Sequence, residues 1–150
     1  MPKEPLFISS KFKHKLNSKV KFAEVDLFGV VHNIQYLYWL EWARTEYLEN
    51  LGIELNLKNF LNKYLLMVVH SEIDYFASLS LSSNYEILTR VSFIKNSSIG
   101  FENIIISENK TIVEAKAILV HINPATKEPE PISGNLKSLI FDFEKENLIL

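Results

Sequence analysis

One long amphipathic segment, with β-type sequence on either side of it, constrains this chain more than any other feature. Between Ile34 and Leu51 the residues Tyr36, Leu40, Ala43, Tyr47 and Leu51 recur at spacings of three and four, which places them on one stripe of an α-helix. Trp39 borders the stripe, and Glu41, Thr45 and Glu49 fall on the opposite side. Asn33 suits the capping position at the start, and Gly52 the left-handed position just past the end. A helix over 34–51 is ~27 Å long at 1.5 Å per residue. Its stripe needs an apolar partner surface, and the rest of the chain must supply one.

Residues 1–15 read as a polar, loosely held lead-in. Residues 18–24 alternate polar and apolar and read as a first strand. After the helix, residues 53–63 can add a short helical turn, and strands are expected at about 64–77, 84–95, 100–108 and 111–122. In the 84–95 segment Tyr85, Ile87, Thr89, Val91 and Phe93 alternate with Glu86, Leu88, Arg90 and Ser92. Glu108-Asn109-Lys110 offers a hairpin turn around Asn109. A Pro-rich exit follows residue 122, and the tail 135–150 has apolar residues without a clear period. The order strand, long helix, four strands predicts an α+β fold: an antiparallel sheet of about five strands wrapped around one central helix, the order of the hot-dog fold. A chain of 150 residues fits a single domain, 1–150, with its core at about 17–132.

Composition mainly removes function classes. The chain has no cysteine, which excludes disulfides, thiolate nucleophiles and Cys-based zinc sites. The formal net charge of −2 sets up no strong field toward nucleic acid or an anionic membrane. His14, His32, His70 and His121 share no metal-ligand spacing, so no metal and no cofactor is expected. No phosphate-binding glycine motif occurs, and the paired serines at 9–10, 82–83 and 97–98 lack a nucleophile-elbow context. The N-terminus carries no apolar run of signal-peptide length, and no stretch approaches the ~20 apolar residues of a membrane span. A cytoplasmic protein is the simplest expectation.

The chemistry concentrates in Phe22-Ala-Glu-Val-Asp26-Leu-Phe-Gly29-Val-Val-His32-Asn33-Ile-Gln-Tyr36. Asp26 stands in a loop that leads into the helix. The first amide N–H groups of a helix have no intrahelical acceptor, and the positive end of the helix dipole points the same way. Such donors can hold an oxyanion as a thioester carbonyl turns tetrahedral. A carboxylate folding back across that mouth completes an acyl-transfer site, and Gly29 lets the backbone approach a ligand closely. The other reading of Asp26 is a turn or cap residue. His70, Glu72 and Asp74 share one strand face by period two; Glu72 is kept as an outlying candidate.

This stretch resembles the signature of the 4-hydroxybenzoyl-CoA thioesterase-like group of hot-dog proteins. Asp26, Gly29, Asn33, Tyr36, Glu41, Ala43 and Arg44 match that pattern in order and spacing. His70-Ser-Glu-Ile-Asp-Tyr75 resembles the group's second strand, and Ser97 and Ser98 resemble its small-residue turn. The resemblance implies hydrolysis of acyl-CoA thioesters, with Asp26 as nucleophile or general base and the Asn33 amide polarising the carbonyl. It also implies substrate contacts from Gly29, His32, Tyr36, Glu72, Ser97 and Ser98, and a homodimer or homotetramer with coenzyme A along a subunit interface. Three departures stand out. His32-Asn33 replaces the Tyr-His found in some members, Ser78-Leu79-Ser80 replaces Pro-Ala-Arg, and Ser82-Ser83 replaces Gly-Asp. An acyl-carrier-protein thioesterase and a non-catalytic acyl-CoA or lipid-binding module are the competing readings, and Asp26 is what a pure binder would not need.

Overall fold

The computed structural model describes residues 3–149; Met1 and Pro2 of the expected lead-in and Leu150 of the tail lie outside the described residues. The elements run in the order β1 (His14–Lys19), α1 (Asn33–Asn50), α2 (Leu57–Lys63), β2 (Leu66–Tyr75), β3 (Asn84–Ile94), β4 (Ser98–Ser107), β5 (Lys110–His121) and α3 (Gly134–Glu144). The strands form one sheet in the order β1-β3-β4-β5-β2, with every neighbouring pair antiparallel. This is the hot-dog arrangement expected from the element order. α1 lies against one face of the sheet and begins and ends within one residue of the expected range.

Two clusters fill the space between helix and sheet. Tyr36, Trp39, Leu40 and Ala43 of α1 pack on Tyr85, Ile87, Ile105 and Val113. One turn further on, Tyr47 and Leu48 pack on Val91, Ile99, Phe101 and Leu119. Bulges at 68/70, 91/93 and 105/106 interrupt the ladders, and bulges bend and twist strands. The β4–β5 hairpin turns on Glu108 and Asn109, at φ 50° and 60°, with Ser107 paired to Lys110. Two left-handed residues in a row fit the two-residue turns that match strand twist.

Four expectations need correction. The first strand is His14–Lys19, while Phe22–Glu24 form a 3-10 turn; a short turn can carry the same polar–apolar alternation as a strand. Asn33 is the first helical residue and the cap position belongs to His32, whose side chain makes no capping bond. Gly52 does take the left-handed position, at φ 93°. The lead-in is held down. Glu114 Oε1 and Oε2 accept the Leu6 N–H at 2.9 and 3.0 Å, and Oε2 accepts the Phe7 N–H at 2.7 Å. Phe12 packs with Leu88 and Ile104. That segment covers the outward face of β3, so the alternating strand is buried on both faces over most of its length.

The tail supplies the fourth correction, helix α3. Ser133 caps it by accepting the Leu136 N–H at 3.2 Å. Leu136 and Ile140, one turn apart, enter the second cluster. Leu136, Leu139, Ile140 and Phe143 recur at spacings of three and four in this helix, with Phe141 off the stripe. No described helix is long and apolar enough to cross a membrane.

Candidate active site

The loop around Asp26 is a miniature hairpin. Its N–H donates to Val30 O at 2.9 Å, the Gly29 N–H donates to Asp26 O at 3.0 Å, and Val25 bridges Val31. Gly29 sits at φ 74°, which an L-residue adopts only at a cost. Asp26 Oδ1 accepts the N–H of Phe28 at 2.8 Å and of Val30 at 3.4 Å. One carboxylate oxygen therefore does the work of a turn residue. The second oxygen makes no hydrogen bond among the described residues, so one side chain serves both readings drawn from the sequence.

The 79–83 segment is stitched to this hairpin. The Val31 N–H donates to Leu79 O at 2.8 Å and the Leu81 N–H to Gly29 O at 3.0 Å, while Val30 bridges Ser80. Ser82, where the resembled pattern has Gly, is at φ 70°, a conformation that explains why glycine suits the position. On the other side, the His32 N–H donates to Glu24 O at 3.1 Å. Glu24 spends both carboxylate oxygens locally, accepting the Lys21 N–H at 2.8 Å and Trp39 Nε1–H at 2.7 Å. Trp39 in turn stacks on Tyr85 with ring centroids 4.2 Å apart. Glu24 thus buckles the loop to α1. It was hidden in the sequence because its role depends on a 3-10 turn that read as a strand.

At the helix start, the N–H groups of Asn33 and Ile34 donate to no described backbone acceptor, whereas the Gln35 N–H is already bonded to His32 O. The Tyr75 hydroxyl donates to Asn33 O at 3.2 Å. Tyr36 is buried beneath, its hydroxyl oxygen accepting the Leu79 N–H at 3.3 Å. Its ring meets Trp39 and Tyr75 edge-on, with centroids 5.3 and 5.5 Å away. Burial raises the pKa of both tyrosines, so they stand here as neutral hydrogen-bonding groups. His32 is exposed at the helix entry.

A carboxylate oxygen without a partner and free helix-start amides at the end of one short loop can perform acyl transfer. The carboxylate supplies a nucleophile or a base, and the amides receive a developing oxyanion. Leu27 and Phe28 at the hairpin tip are exposed, as are Phe22 and Ile34 nearby in the chain and Leu81, whose N–H is bonded to Gly29 O. Exposed apolar patches of this kind mark binding surfaces. Asp26 lines none of the main cavities; the largest, about 450 Å³, lies between α1, α2 and the sheet. No group of three His, Asp or Glu residues able to hold a metal occurs among the described residues.

Asp26 and Gly29 sit in one hairpin that runs directly into His32, Asn33 and Tyr36 at the helix start, and the other candidates lie apart from it. Glu72 is on the edge strand β2, opposite Lys116, with His70 Nε2 at 3.2 Å. Ser97 and Ser98 lie where β3 turns into β4, at the far end from Tyr85 and Trp39. That is roughly 30 Å away at ~3.3 Å per residue.

A Cβ added at Gly29 meets nothing within 4 Å, so Gly29→Val carries only the conformational cost, about 1–2 kcal/mol. A loop displaced by even ~1 Å can cost on the order of a hundredfold in rate. The variant should therefore lose more turnover than stability, as judged by a kinetic assay beside thermal melting. Proportionate losses in both would reduce Gly29 to a turn residue.

The family model for the thioesterase-like superfamily matches residues 20–140. An acyl-acyl carrier protein thioesterase of Arabidopsis thaliana, the chloroplastic ATL2, is 27% identical over 138 residues, covering 91% of this chain and 72% of that one. The acyl-CoA thioester hydrolase YbgC of Escherichia coli is 26% identical over 129 residues, covering 85% of this chain and 92% of YbgC. Among solved structures, the 1,4-dihydroxy-2-naphthoyl-CoA thioesterase of Synechocystis superposes with a TM-score of 0.77 at 20% identity, over 87% of this chain and 96% of that one. At that identity the likeness is one of fold.

Proposed function

The chain belongs to the thioesterase-like superfamily, and on that premise we propose that it is an enzyme hydrolysing acyl-CoA thioesters to the free acid and coenzyme A. The observation that carries this is the division of labour at Asp26: Oδ1 is bound in its own turn while Oδ2 makes no hydrogen bond among the described residues, in the loop that leads into a helix start with unsatisfied N–H donors. In this reading Asp26 either attacks the thioester carbonyl and expels the coenzyme A thiolate, giving an acyl-aspartyl anhydride that water cleaves, or takes a proton from the water that attacks the carbonyl and displaces the thiolate, which leaves as the thiol once protonated. The Asn33 N–H stabilises the oxyanion. Gly29, His32 and Tyr36 shape the mouth. The acyl-CoA name of YbgC supports the carrier; the acyl carrier protein named for ATL2 is the other one to test.

We further propose that the protein works as a homodimer or homotetramer. The edge strand β2 exposes Met67, Val68 and Val69, and α1 exposes Leu37, Tyr38 and Trp42. A long edge with apolar side chains is an aggregation hazard unless something covers it. A second copy would cover it, and could present its own Glu72, Ser97 and Ser98 to the open mouth at Asp26. Thiol release over a panel of acyl-CoA and acyl-carrier-protein substrates, beside analytical ultracentrifugation, tests both points. The proposal predicts turnover of at least one acyl-CoA by an assembly larger than a monomer. Turnover of carrier-protein thioesters alone would move the protein to the other carrier.

A further inference from the structure

α1 is not centred on the sheet. It packs closest to β3 and β1, and over β5 and β2 the inner face carries short side chains, Ala115 and Ala117 opposite Ile73 and Ser71. Two cavities occupy the space that remains. One, about 180 Å³, is bounded by Leu37 and Leu40 of α1 and by Ala115 and Ala117, with Ser71, Glu72, Asn103 and Lys116 along its polar side. The other, about 450 Å³, is bounded by Leu48, Phe60, Leu66, Phe101 and Leu119. Glu41, Arg44 and Val68 line both, so the two adjoin along the helix.

The larger cavity accounts for α2. None of that helix's residues is buried; Phe60 is half-buried and faces the space, while Leu57 remains 80% exposed. Close-packed interiors leave few voids larger than a water molecule. A mostly apolar cavity of a few hundred Å³ with a few polar groups at its side has the character of a ligand pocket. At the neck, burial pulls the Arg44 pKa down while the Glu41 charge opposes that pull. An apolar chain can pass along the aliphatic stem of such an arginine.

We propose that this groove holds the alkyl chain of a long-chain acyl group, about twelve to sixteen carbons, whose thioester lies at the start of α1. The inference rests on the thioesterase reading and adds the substrate class. The chain length follows from distance. Glu41 is ~12 Å and Leu48 ~22 Å along the helix from Asn33 at 1.5 Å per residue. An extended chain advances roughly 1.2 Å per bond, judging by the ~3.3–3.6 Å that three backbone bonds span in a peptide. About ten carbons reach the neck, and several more are needed to enter the α2 cavity. Volume caps the length: at about 30 Å³ per methylene-sized group the two spaces hold no more than about twenty carbons. A short or aromatic acyl group would leave the α2 cavity empty.

The test is kcat/KM for butyryl-, benzoyl-, lauroyl-, myristoyl- and palmitoyl-CoA in the wild type, in Val68→Phe at the neck and in Thr45→Phe in the larger cavity. Both sites are at least partly exposed, so the variants should fold, which circular dichroism checks. The expected result is a preference of at least about tenfold for the long chains over butyryl- and benzoyl-CoA, reduced about tenfold or more in each variant. A wild type that prefers butyryl- or benzoyl-CoA, or a preference unmoved in both variants, overturns the inference and leaves the thioesterase reading intact. A variant that changes the assembly and not the preference also overturns it, and assigns the groove to a second copy. If no acyl-CoA is hydrolysed at all, the acyl-CoA reading itself fails. Calorimetric titration with myristate then decides: binding lost in both variants keeps the groove as an alkyl-chain site, and no binding overturns it.

Discussion

Asp26→Asn should turn over at least about a hundred times more slowly than the wild type while folding normally. The amide is nearly isosteric with the carboxylate, and its oxygen can still accept the N–H groups of Phe28 and Val30 that Oδ1 accepts now. The miniature hairpin therefore survives. What disappears is the charge on Oδ2. An amide is no useful base, and general-base assistance is worth about 10² to 10⁴ in rate; loss of a covalent nucleophile can cost more. The signature to look for is a fall in kcat with KM little changed and an unaltered melting temperature. Near-normal turnover would make Asp26 a turn residue only. The chemistry would then have to be sought at Glu72, Asp74 and His32.

The largest stability effect is expected at Glu144, remote from the site. Its side chain is fully buried, and Oε1 accepts the Tyr47 hydroxyl at 2.6 Å and the Val91 N–H at 3.0 Å. Nearby, Lys13 Nζ donates to Phe143 O and Arg90 to Asn147 O, which places cations at the C-terminal end of α3. Glu144→Ala would orphan two buried donors, each worth about 1–3 kcal/mol, and open a void as well. A loss of about 3–5 kcal/mol is expected, at the upper end for a single substitution.

Glu144→Gln separates charge from packing. Burial, the leading cause, holds the Glu144 carboxyl above its ordinary value of 4.5, against the opposing pull of Tyr47, Val91, Arg90 and Lys13. The fold favours the neutral acid. Its contribution is complete below 4.5 and is lost as pH rises through the raised folded value. His14, edge-on to Tyr47 with ring centroids 5.7 Å apart, faces the same cluster; burial lowers its pKa against the opposing charge of Glu46. The variant should therefore gain on the wild type as pH increases from about 4 to 8, read as the difference between their melting temperatures. A constant difference across that range would show that Glu144 does not titrate differently in the fold.

How much of this was legible beforehand depended on how local each signal is. α1, the β4–β5 hairpin and the four long strands announce themselves through periods of 3.6 and 2 within a short window, because one buried face imposes the pattern. The loop from Asp26 to Asn33 could also be read, since turn, glycine and helix start follow one another within eight positions. Its inner economy could not: that Oδ1 is spent on the turn and Oδ2 is spare depends on how the hairpin closes.

Other features required partners far away in the chain. The segment before β1 is polar by composition, and groups far along the chain hold it down, among them Asp74, Glu114, Leu88 and Ile104. α3 is held by distant partners, Leu136 and Ile140 in the second cluster and Glu144 against Tyr47 and Val91. Glu24 acquires a role only when Trp39 comes within reach. Ser97 and Ser98, grouped with the site by resemblance, end at the opposite end of the sheet, because β3 is a long strand with the helix start beside one end and the serines beyond the other. The groove beside α1 is likewise a product of where the helix lands. The sequence by itself determined which segments are helix and strand and which loop carries the carboxylate, because those follow from local periodicity and turn chemistry. Burial of distant groups against one another, and the space left where they do not meet, were decided by the tertiary structure alone.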